Sequence, residues 1–230
     1  MISSAGGCSA SEVPLANYPL VRDYKLLSAV SDNSITADTI KQHLRIPITQ
    51  TEEDVYLLGL LSAARGIFET ATSTTILQSE FLTYRDCFNT RQFVLTKHPF
   101  VSLINFEYTN SKDTVKIVSA DNYQITNDYP YSRLILLNNK SWIDDDIKVM
   151  KQAIHITFKA GFSDENGIYN DEIKVALLAI IAQLYENRGD CTTTTYGSMT
   201  LPLVANNIVT RYRILHLTNS NYLENSSGLC

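Results

Sequence analysis

The clearest pattern of apolar and polar positions lies in residues 170–188 and predicts a helix with both of its ends encoded. Asn170 can cap this helix because its side-chain oxygen can accept from the unpaired N–H groups of the first turn. Acidic residues follow it, and Arg188 lies near the other end, as the helix dipole favours. Gly189 is typical of the left-handed residue that ends a helix. Residues 175–182 are apolar on every face, which predicts that other parts of the protein enclose this helix.

Two further helical patterns lie nearer to the start of the chain. The first covers residues 36–46, with Thr36 as its N-cap. Pro47 is expected to end it, because the position before a proline is pushed out of helical geometry. The second pattern covers residues 51–72 and begins with an acidic turn. Its buried stripe is predicted by apolar side chains at helical spacing, namely Leu57, Leu61, Ala64, Phe68 and Ala71.

Between residues 74 and 160 the period of the pattern changes to two, which predicts β-strands. Apolar Ile154, Ile156 and Phe158, for example, alternate with polar neighbours, and breaks rich in Asn, Asp and Ser separate such runs. The pattern therefore predicts antiparallel strands and hairpins inserted between helices. After a polar loop, residues 205–217 predict a closing helix.

Together these elements predict a single α+β domain with extended ends. Residues 1–34 are rich in Ser, Ala and Pro without a sustained period, and we interpret them as an N-terminal arm. Residues 35–190 form the predicted domain. It has a helical core of two N-terminal helices and a long buried C-terminal helix, with the β-region 74–160 inserted. Residues 191–230 form a C-terminal segment and tail.

Composition narrows the class of protein without identifying a function. A chain of 230 residues can bury roughly 70 % of its unfolded surface, and 44 % hydrophobic and 19 % charged residues are ordinary for a soluble globular protein. No apolar run approaches the roughly 18 residues of a membrane span, so we expect no membrane association. The net charge of −5 and the dispersed Lys and Arg argue against tight binding of nucleic acid. The four cysteines are widely spaced, and we expect them to be free thiols in a reducing compartment. They are Cys8, Cys87, Cys191 and Cys230.

The sequence offers little that indicates catalysis, and we expect neither a cofactor nor a metal ion. The four histidines lack metal-ligand spacing, and no glycine-rich loop of a nucleotide-binding enzyme occurs. Asp144-Asp145-Asp146 lacks the alternating pattern of a calcium loop, so a solvated turn is favoured over a cation site. Aromatic residues in the strands fit a sugar-binding face or, more commonly, packing between strands. Trp142 suits the core or a subunit contact, and we favour the core.

The order of several short motifs resembles that of the bacteriophage head–tail connector family, over residues 35–215. The helix end Leu184-Tyr185-Glu186-Asn187-Arg188-Gly189 is similar to the last conserved helix of these proteins. No single motif is specific, and the resemblance rests on their order and spacing. The other matching segments are residues 35–46, the acidic start of the second helix with Ala63-Ala64-Arg65, Lys97-His98-Pro99-Phe100-Val101, residues 120–125, Lys159-Ala160-Gly161-Phe162, Leu201-Pro202 and Tyr212-Arg213.

This resemblance implies a structural virion protein, the head-completion adaptor that forms a usually dodecameric ring beneath the portal. It implies that the ring extends the channel for double-stranded DNA, without sequence-specific binding, and joins the head to the neck or tail. Genome retention and ejection are the implied roles. The implied partners are the portal protein, a downstream neck or tail protein and further copies of this chain. The expected location is the head–tail interface of the virion, after assembly in the cytoplasm of the bacterial host.

The resemblance also implies that the segment after Leu201 docks onto the portal. Several residue types enriched at interfaces occur there, and Arg188 either caps its own helix or pairs with a neighbouring subunit. A stopper or tail-terminator ring of the neck is the closest alternative, and a carbohydrate-binding virion module is a more distant one. The predicted portal or subunit interface consists of Arg188, Leu201, Pro202, Arg211, Tyr212 and Arg213.

Overall fold

Helices and antiparallel sheets both contribute to the computed structural model, which describes residues 24–88, 90–128, 131–187 and 201–214. The predicted α+β class is therefore confirmed. The side chain of Thr36 accepts from the N–H of Thr39 at the start of the first helix. The side chain of Asn170 likewise accepts from the N–H of Ile173, so both predicted N-caps are confirmed. The helices are α1 (Ala37–Leu44), α2 (Asp54–Thr72), α3 (Asp171–Glu186) and α4 (Leu203–Tyr212).

The first helix ends earlier than the sequence predicts. Arg45 adopts a left-handed φ of 59°, and its N–H donates to the carbonyl of Gln42. This C-cap closes α1 at Leu44, because a left-handed residue turns the backbone away from the helix axis. Pro47 therefore follows a helix that has already ended.

The third helix contains the long apolar run but is not enclosed on all sides. Ile173 and Ile180 are fully buried, whereas Val175 is 49 % exposed. The prediction of burial on every face is therefore wrong for the Val175 flank, because α1, α2 and α4 pack against the other flanks. Arg188 and Gly189, which the sequence places at the C-terminal end of this helix, lie outside the described residues.

The strands form a five-stranded and a three-stranded antiparallel sheet. In the larger sheet the order is β1-β2-β8-β4-β5, so β8 is central and β1 and β5 are the edges. In the smaller sheet β7 lies between β3 and β6. The strands are β1 (Tyr24–Ala29), β2 (Ser79–Arg85), β3 (Gln92–Leu95), β4 (Phe100–Thr109), β5 (Val115–Ile117), β6 (Tyr123–Asp128), β7 (Tyr131–Leu136) and β8 (Ile154–Ala160).

Strand β1 belongs to the stretch that the sequence assigns to an N-terminal arm. It pairs with β2, with Tyr24 opposite Thr83. The residues after it are held as well, since the carboxylate of Asp32 lies 3.1 Å from the guanidinium of Arg65 in α2. The predicted arm is therefore wrong for residues 24–34, which are part of the fold. The strand is exposed on both faces, and so it lacks the alternating pattern that would have revealed it.

Two clusters of buried side chains stabilise the domain. Side chains from all four helices form the first cluster, to which Phe68, Leu177 and Ile208 contribute. Strands of both sheets form the second cluster, which includes Phe93 of β3 and Phe158 of β8. Burying an aliphatic or aromatic side chain of this size contributes roughly 2 kcal/mol, so both clusters are substantial sources of stability.

Trp142 lies in the cluster between the strands and is only 4 % exposed. Its ring centroid is 5.0 Å from that of Phe93, and it stacks on Phe88 at an interplanar angle of 24°. Its indole N–H donates to the carbonyl of Thr90 at 2.8 Å, which satisfies the polar end of the side chain. The core interpretation of this tryptophan is confirmed.

Candidate docking surface at the C-terminal helix

Helix α4 is amphipathic and begins and ends earlier than the predicted range of 205–217. Ala205, Ile208 and Val209 recur at helical spacing and are buried against the other helices. On the outer side, Leu203 and Val204 are 76 % and 52 % exposed. Two adjacent exposed aliphatic side chains at the start of a helix suit contact with another protein.

A hydrogen-bonded network attaches the end of α4 to the start of α3. The hydroxyl of Tyr212 donates to one carboxylate oxygen of Glu172 at 3.0 Å and accepts from the side-chain amide of Asn170 at 2.7 Å. The guanidinium of Arg211 lies 3.2 Å from the other oxygen of Glu172. Because Asn170 is also the N-cap of α3, this network sets the position of α4 relative to the start of α3.

The ring of Tyr212 packs inside its own chain. It meets Phe162 edge-on, with ring centroids 5.3 Å apart, and lies 6.2 Å from Phe68. Burial raises the pKa of the Tyr212 hydroxyl, and the hydrogen bond to the Glu172 carboxylate raises it as well. The hydroxyl therefore stays protonated at neutral pH and remains a hydrogen-bond donor.

A cavity of about 350 Å³ opens beside Arg211 and Tyr212. Phe100, Tyr131 and Phe162 contribute to its walls, which are mainly apolar. Ligand sites measure roughly 300–1,000 Å³, so this cavity is small for a ligand site. Apolar walls of this kind suit an apolar side chain from another protein better than a charged small molecule.

The structure brings together Arg211 and Tyr212 among the predicted interface residues. Leu201 and Pro202 are half-buried at the opposite end of α4, about 15 Å away at 1.5 Å per helical residue. Arg213 is exposed just beyond the helix. The remaining predicted residue, Arg188, lies outside the described residues. The interface role of the set stays a prediction.

The sequence did not reveal the partners that hold α4 in place. Glu172 is recognisable only as an acid in the first turn of α3, and Asn170 only as a cap. Glu172 lies 40 residues from Tyr212 along the chain, so no local spacing relates the two. In the sequence, only the opposite charges of Glu172 and Arg211 hint that they pair, and many other acidic and basic residues of the chain are oppositely charged as well.

Other candidate chemistry is sparse in the described part of the chain. Its His, Cys, Asp and Glu side chains form no group of three or more that could hold a metal ion. None of its helices is long and apolar enough to cross a membrane. Asp145, in the run of three aspartates, forms an ion pair with Lys116. Phe93, Phe106 and Tyr108 are buried in the cluster between the strands, which agrees with packing and leaves these rings unavailable to a sugar.

Solved structures show the same fold. The chain is similar to chains of the "Neck of empty GTA particle computed with C6 symmetry" (19 % identity, TM-score 0.66), the "Virion of native gene transfer agent (GTA) particle" (20 %, 0.67) and the "Neck of native GTA particle computed with C12 symmetry" (18 %, 0.63). This chain has their fold. Each match covers 85 % of this chain and 97 % of the other. No protein-family model matches the chain, and no curated protein is significantly similar to it in sequence.

The region that is similar to this chain makes up almost the whole of each of the three GTA chains. The likeness therefore extends over the overall architecture and is not confined to a single supersecondary unit. At these identities the likeness concerns the fold, and the role of the chain has to be argued from its surfaces.

Proposed function

We propose that the protein is a structural component of the neck of a phage-like virion, namely the adaptor ring that lies beneath the portal and joins the head to the neck or tail. The observation that supports this proposal is the likeness to the GTA neck chains over nearly their entire length. The order of the connector-like motifs in the sequence supports the same role. The protein acts by binding its neighbours, without a chemical step.

The proposed assembly is a homo-oligomeric ring around the path of the DNA. Two of the similar neck structures were computed with C6 and C12 symmetry, and the connector resemblance implies a dodecamer. Each copy in a closed ring needs two different surfaces, because its contacts are head to tail. A net charge of −5 suits a lumen that passes double-stranded DNA without gripping its phosphates. Such a ring helps to retain the packaged genome and later lets it pass during ejection.

Helix α4 is the proposed docking element for the portal. Leu203 and Val204 offer an exposed aliphatic contact at its start, and the cavity beside Tyr212 offers an apolar seat at its end. The carboxylate of Glu172 holds this helix on the domain before a partner arrives. A preorganised surface loses less conformational entropy on binding, which favours affinity.

The proposal is tested by the native mass of the purified protein, alone and mixed with the portal protein of the same virus. We expect a large complex with the wild-type chain. Changing both Leu203→Asp and Val204→Asp should abolish it, because a charge buried in the interface without a partner is costly. Val149→Asp is the matched control, since Val149 is 90 % exposed in a loop far along the chain, and it should bind as the wild type does.

The possible outcomes separate the candidate functions. Association with a tail component but not with the portal would assign the chain to a stopper or tail-terminator ring. Association with neither would refute the neck proposal, and binding to a glycan array would then favour a carbohydrate-binding module. Portal binding that persists when both Leu203→Asp and Val204→Asp are introduced would show that α4 is not the docking element.

A further inference from the structure

The five-stranded sheet has two free edges that differ from each other. Strand β1 forms one edge and β5 forms the other. Within the described residues, β1 pairs only with β2, and β5 pairs only with β4. No strand in the described part of the chain pairs with the outer side of either one.

Both edges expose aliphatic side chains that the fold itself does not bury. On β1, Leu26 and Leu27 are 55 % and 46 % exposed. On β5, Val115 and Ile117 are 59 % and 73 % exposed. Exposed aliphatic side chains on a strand edge promote unwanted association unless a partner covers them. Val101 and Ile104 of β4 are similarly exposed, at 43 % and 47 %, but β4 is paired on both sides. Within the five-stranded sheet, only the two edges combine exposed aliphatic side chains with a backbone side that no described strand pairs.

We propose that the β1 edge of one copy packs against the β5 edge of the next copy around the ring. This inference rests on the ring of the proposed function. A head-to-tail ring requires two unlike and complementary surfaces on every subunit. The two edges of one sheet meet that requirement, because each subunit has one of each. The occupant of each edge is therefore a second copy of this chain.

The charges beside the two edges support this pairing. Lys25 is exposed on β1, and the ammonium of Lys97 lies 4.2 Å from the centre of the Tyr24 ring at the start of the same strand. Asp144 and Asp145 lie beside β5, where Asp145 pairs with Lys116. Asp113 pairs with Lys148 nearby, so part of the negative charge at this edge is already neutralised within the chain and Asp144 carries the remaining attraction. Complementary charges around a contact orient the partners and speed their encounter. Two β1 edges would instead bring lysines together, which disfavours a symmetric pair.

The same edges limit how the copies can meet. The register between β1 and β2 shifts between Leu26 and Ser28, which marks a bulge, and β5 comprises only Val115–Ile117. Bulges, short strands and lysines prevent an edge from pairing with arbitrary strands. The contact therefore depends on packing of the exposed aliphatic side chains and not on a long backbone ladder.

A mixing experiment separates this contact from any other. Leu27→Glu disables the β1 edge, and Ile117→Glu disables the β5 edge. Each variant alone should remain monomeric by native mass spectrometry under conditions in which the wild-type chain forms rings. If the ring requires the portal, each variant should bind the portal only as separate copies, without contacts between them. Their mixture should give dimers and no larger species. The reason is that the Ile117→Glu copy keeps its β1 edge and the Leu27→Glu copy keeps its β5 edge, so a single contact can form.

Val55→Glu is the matched control, because Val55 is 85 % exposed on α2, and this variant should still form rings. Rings from either edge variant would overturn the inference, as would a mixture that stays monomeric while circular dichroism shows both variants folded. A photo-cross-linking residue at position 27 of the otherwise wild-type chain gives a second measurement. Cross-links to residues 115–117 of another copy support the contact, and cross-links elsewhere overturn it.

The two proposals fail in different ways. A wild-type chain that forms no ring, alone or with the portal, would overturn the proposed function and this inference with it. If the wild-type chain forms rings and the Leu27→Glu and Ile117→Glu variants form them too, only the contact between the sheet edges is overturned.

Discussion

Asp32 is a single carboxylate that joins three separate parts of the chain. One of its oxygens accepts from the guanidinium of Arg65 in α2 and from the hydroxyl of Tyr169, each at 3.1 Å. Its other oxygen accepts from the N–H of Ser34 at 3.0 Å. The side chain of Asp32 is only 8 % exposed, so loss of a donor leaves a buried charge poorly compensated. The residues after β1 are fixed to the helices by this one group.

Tyr169 is expected to make the stability of the protein depend on alkaline pH. Burial, followed by the neighbouring carboxylate of Asp32, raises the pKa of the Tyr169 hydroxyl well above its ordinary value of 10.0. The unfolded chain therefore loses this proton at a lower pH than the folded chain does. The stabilisation is complete below about pH 10 and is lost progressively as the pH rises beyond it. We expect the melting temperature of the wild-type protein to fall in that range.

Thermal unfolding of the wild type and of Tyr169→Phe, from about pH 7 to about pH 11, measures this effect. The variant should be less stable at neutral pH by roughly 1.5–3 kcal/mol, because it lacks the hydrogen bond to the buried carboxylate of Asp32. Its melting temperature should fall less steeply above pH 10, since phenylalanine has no proton to lose. Parallel curves for the two proteins would contradict this role of Tyr169.

At the scale of the element, α4 is a helix that depends on its attachment. It spans only 10 residues, and isolated helices shorter than about 12 residues are marginal in water. Burial of Ile208 and Val209 holds its middle, and the contacts of Tyr212 and Arg211 with Glu172 hold its end. The end of α4 beside the cavity therefore owes part of its order to a residue on another helix.

Glu172→Ala should loosen α4 without unfolding the domain. Glu172 and Arg211 are both about half exposed or more, at 49 % and 62 %, so solvent screens their attraction. Loss of this ion pair together with the exposed hydrogen bond from Tyr212 costs about 1 kcal/mol. That change raises amide hydrogen exchange in α4 up to about fivefold, which mass spectrometry of the peptide 203–212 detects. Asp171→Ala is the matched control, because Asp171 lies in the same first turn but pairs with Lys174. Equal exchange in both variants would count against the attachment.

The sequence predicted those elements that are determined by contacts between residues close together in the chain. Thr36 and Asn170 mark helix starts because their capping bonds reach only three residues along the chain. Strand β1 escaped prediction because an edge strand with a bulge and two exposed faces has no alternating pattern. Of the predicted interface residues, Arg211 and Tyr212 lie side by side in the structure, and their interface role stays a prediction. Their partner Glu172 was not predicted, because folding alone brings the two helices together.

At the scale of the whole molecule, backbone hydrogen bonds join the helical cluster to the strands. The N–H of Phe162, after β8, donates to the carbonyl of Thr75 at 3.1 Å, and the N–H of Ser163 donates to that of Ile76 at 2.8 Å. Ile76 belongs to the helical cluster and lies shortly before β2. The central strands therefore lead directly into the helical cluster, and the two clusters should unfold together.

This coupling predicts coincident unfolding transitions. Trp142 is the only tryptophan of the chain and reports on the cluster between the strands, while circular dichroism at the helical band reports on the helices. The two probes should give the same midpoint in urea, as a two-state domain requires. A lower midpoint for either probe would show that one cluster unfolds independently of the other.

The position of β8 also sets the order in which the sheet is completed during synthesis. β2 and β4 both pair with β8 and not with each other, although both precede it in the chain. A ribosome that adds roughly 5–20 residues per second needs roughly 3–10 s to make the residues between the ends of β4 and β8. During that interval the nascent chain carries two strands without their common neighbour. Every copy therefore passes through a stage at which the unpaired edges of β2 and β4 make the nascent chain prone to aggregation.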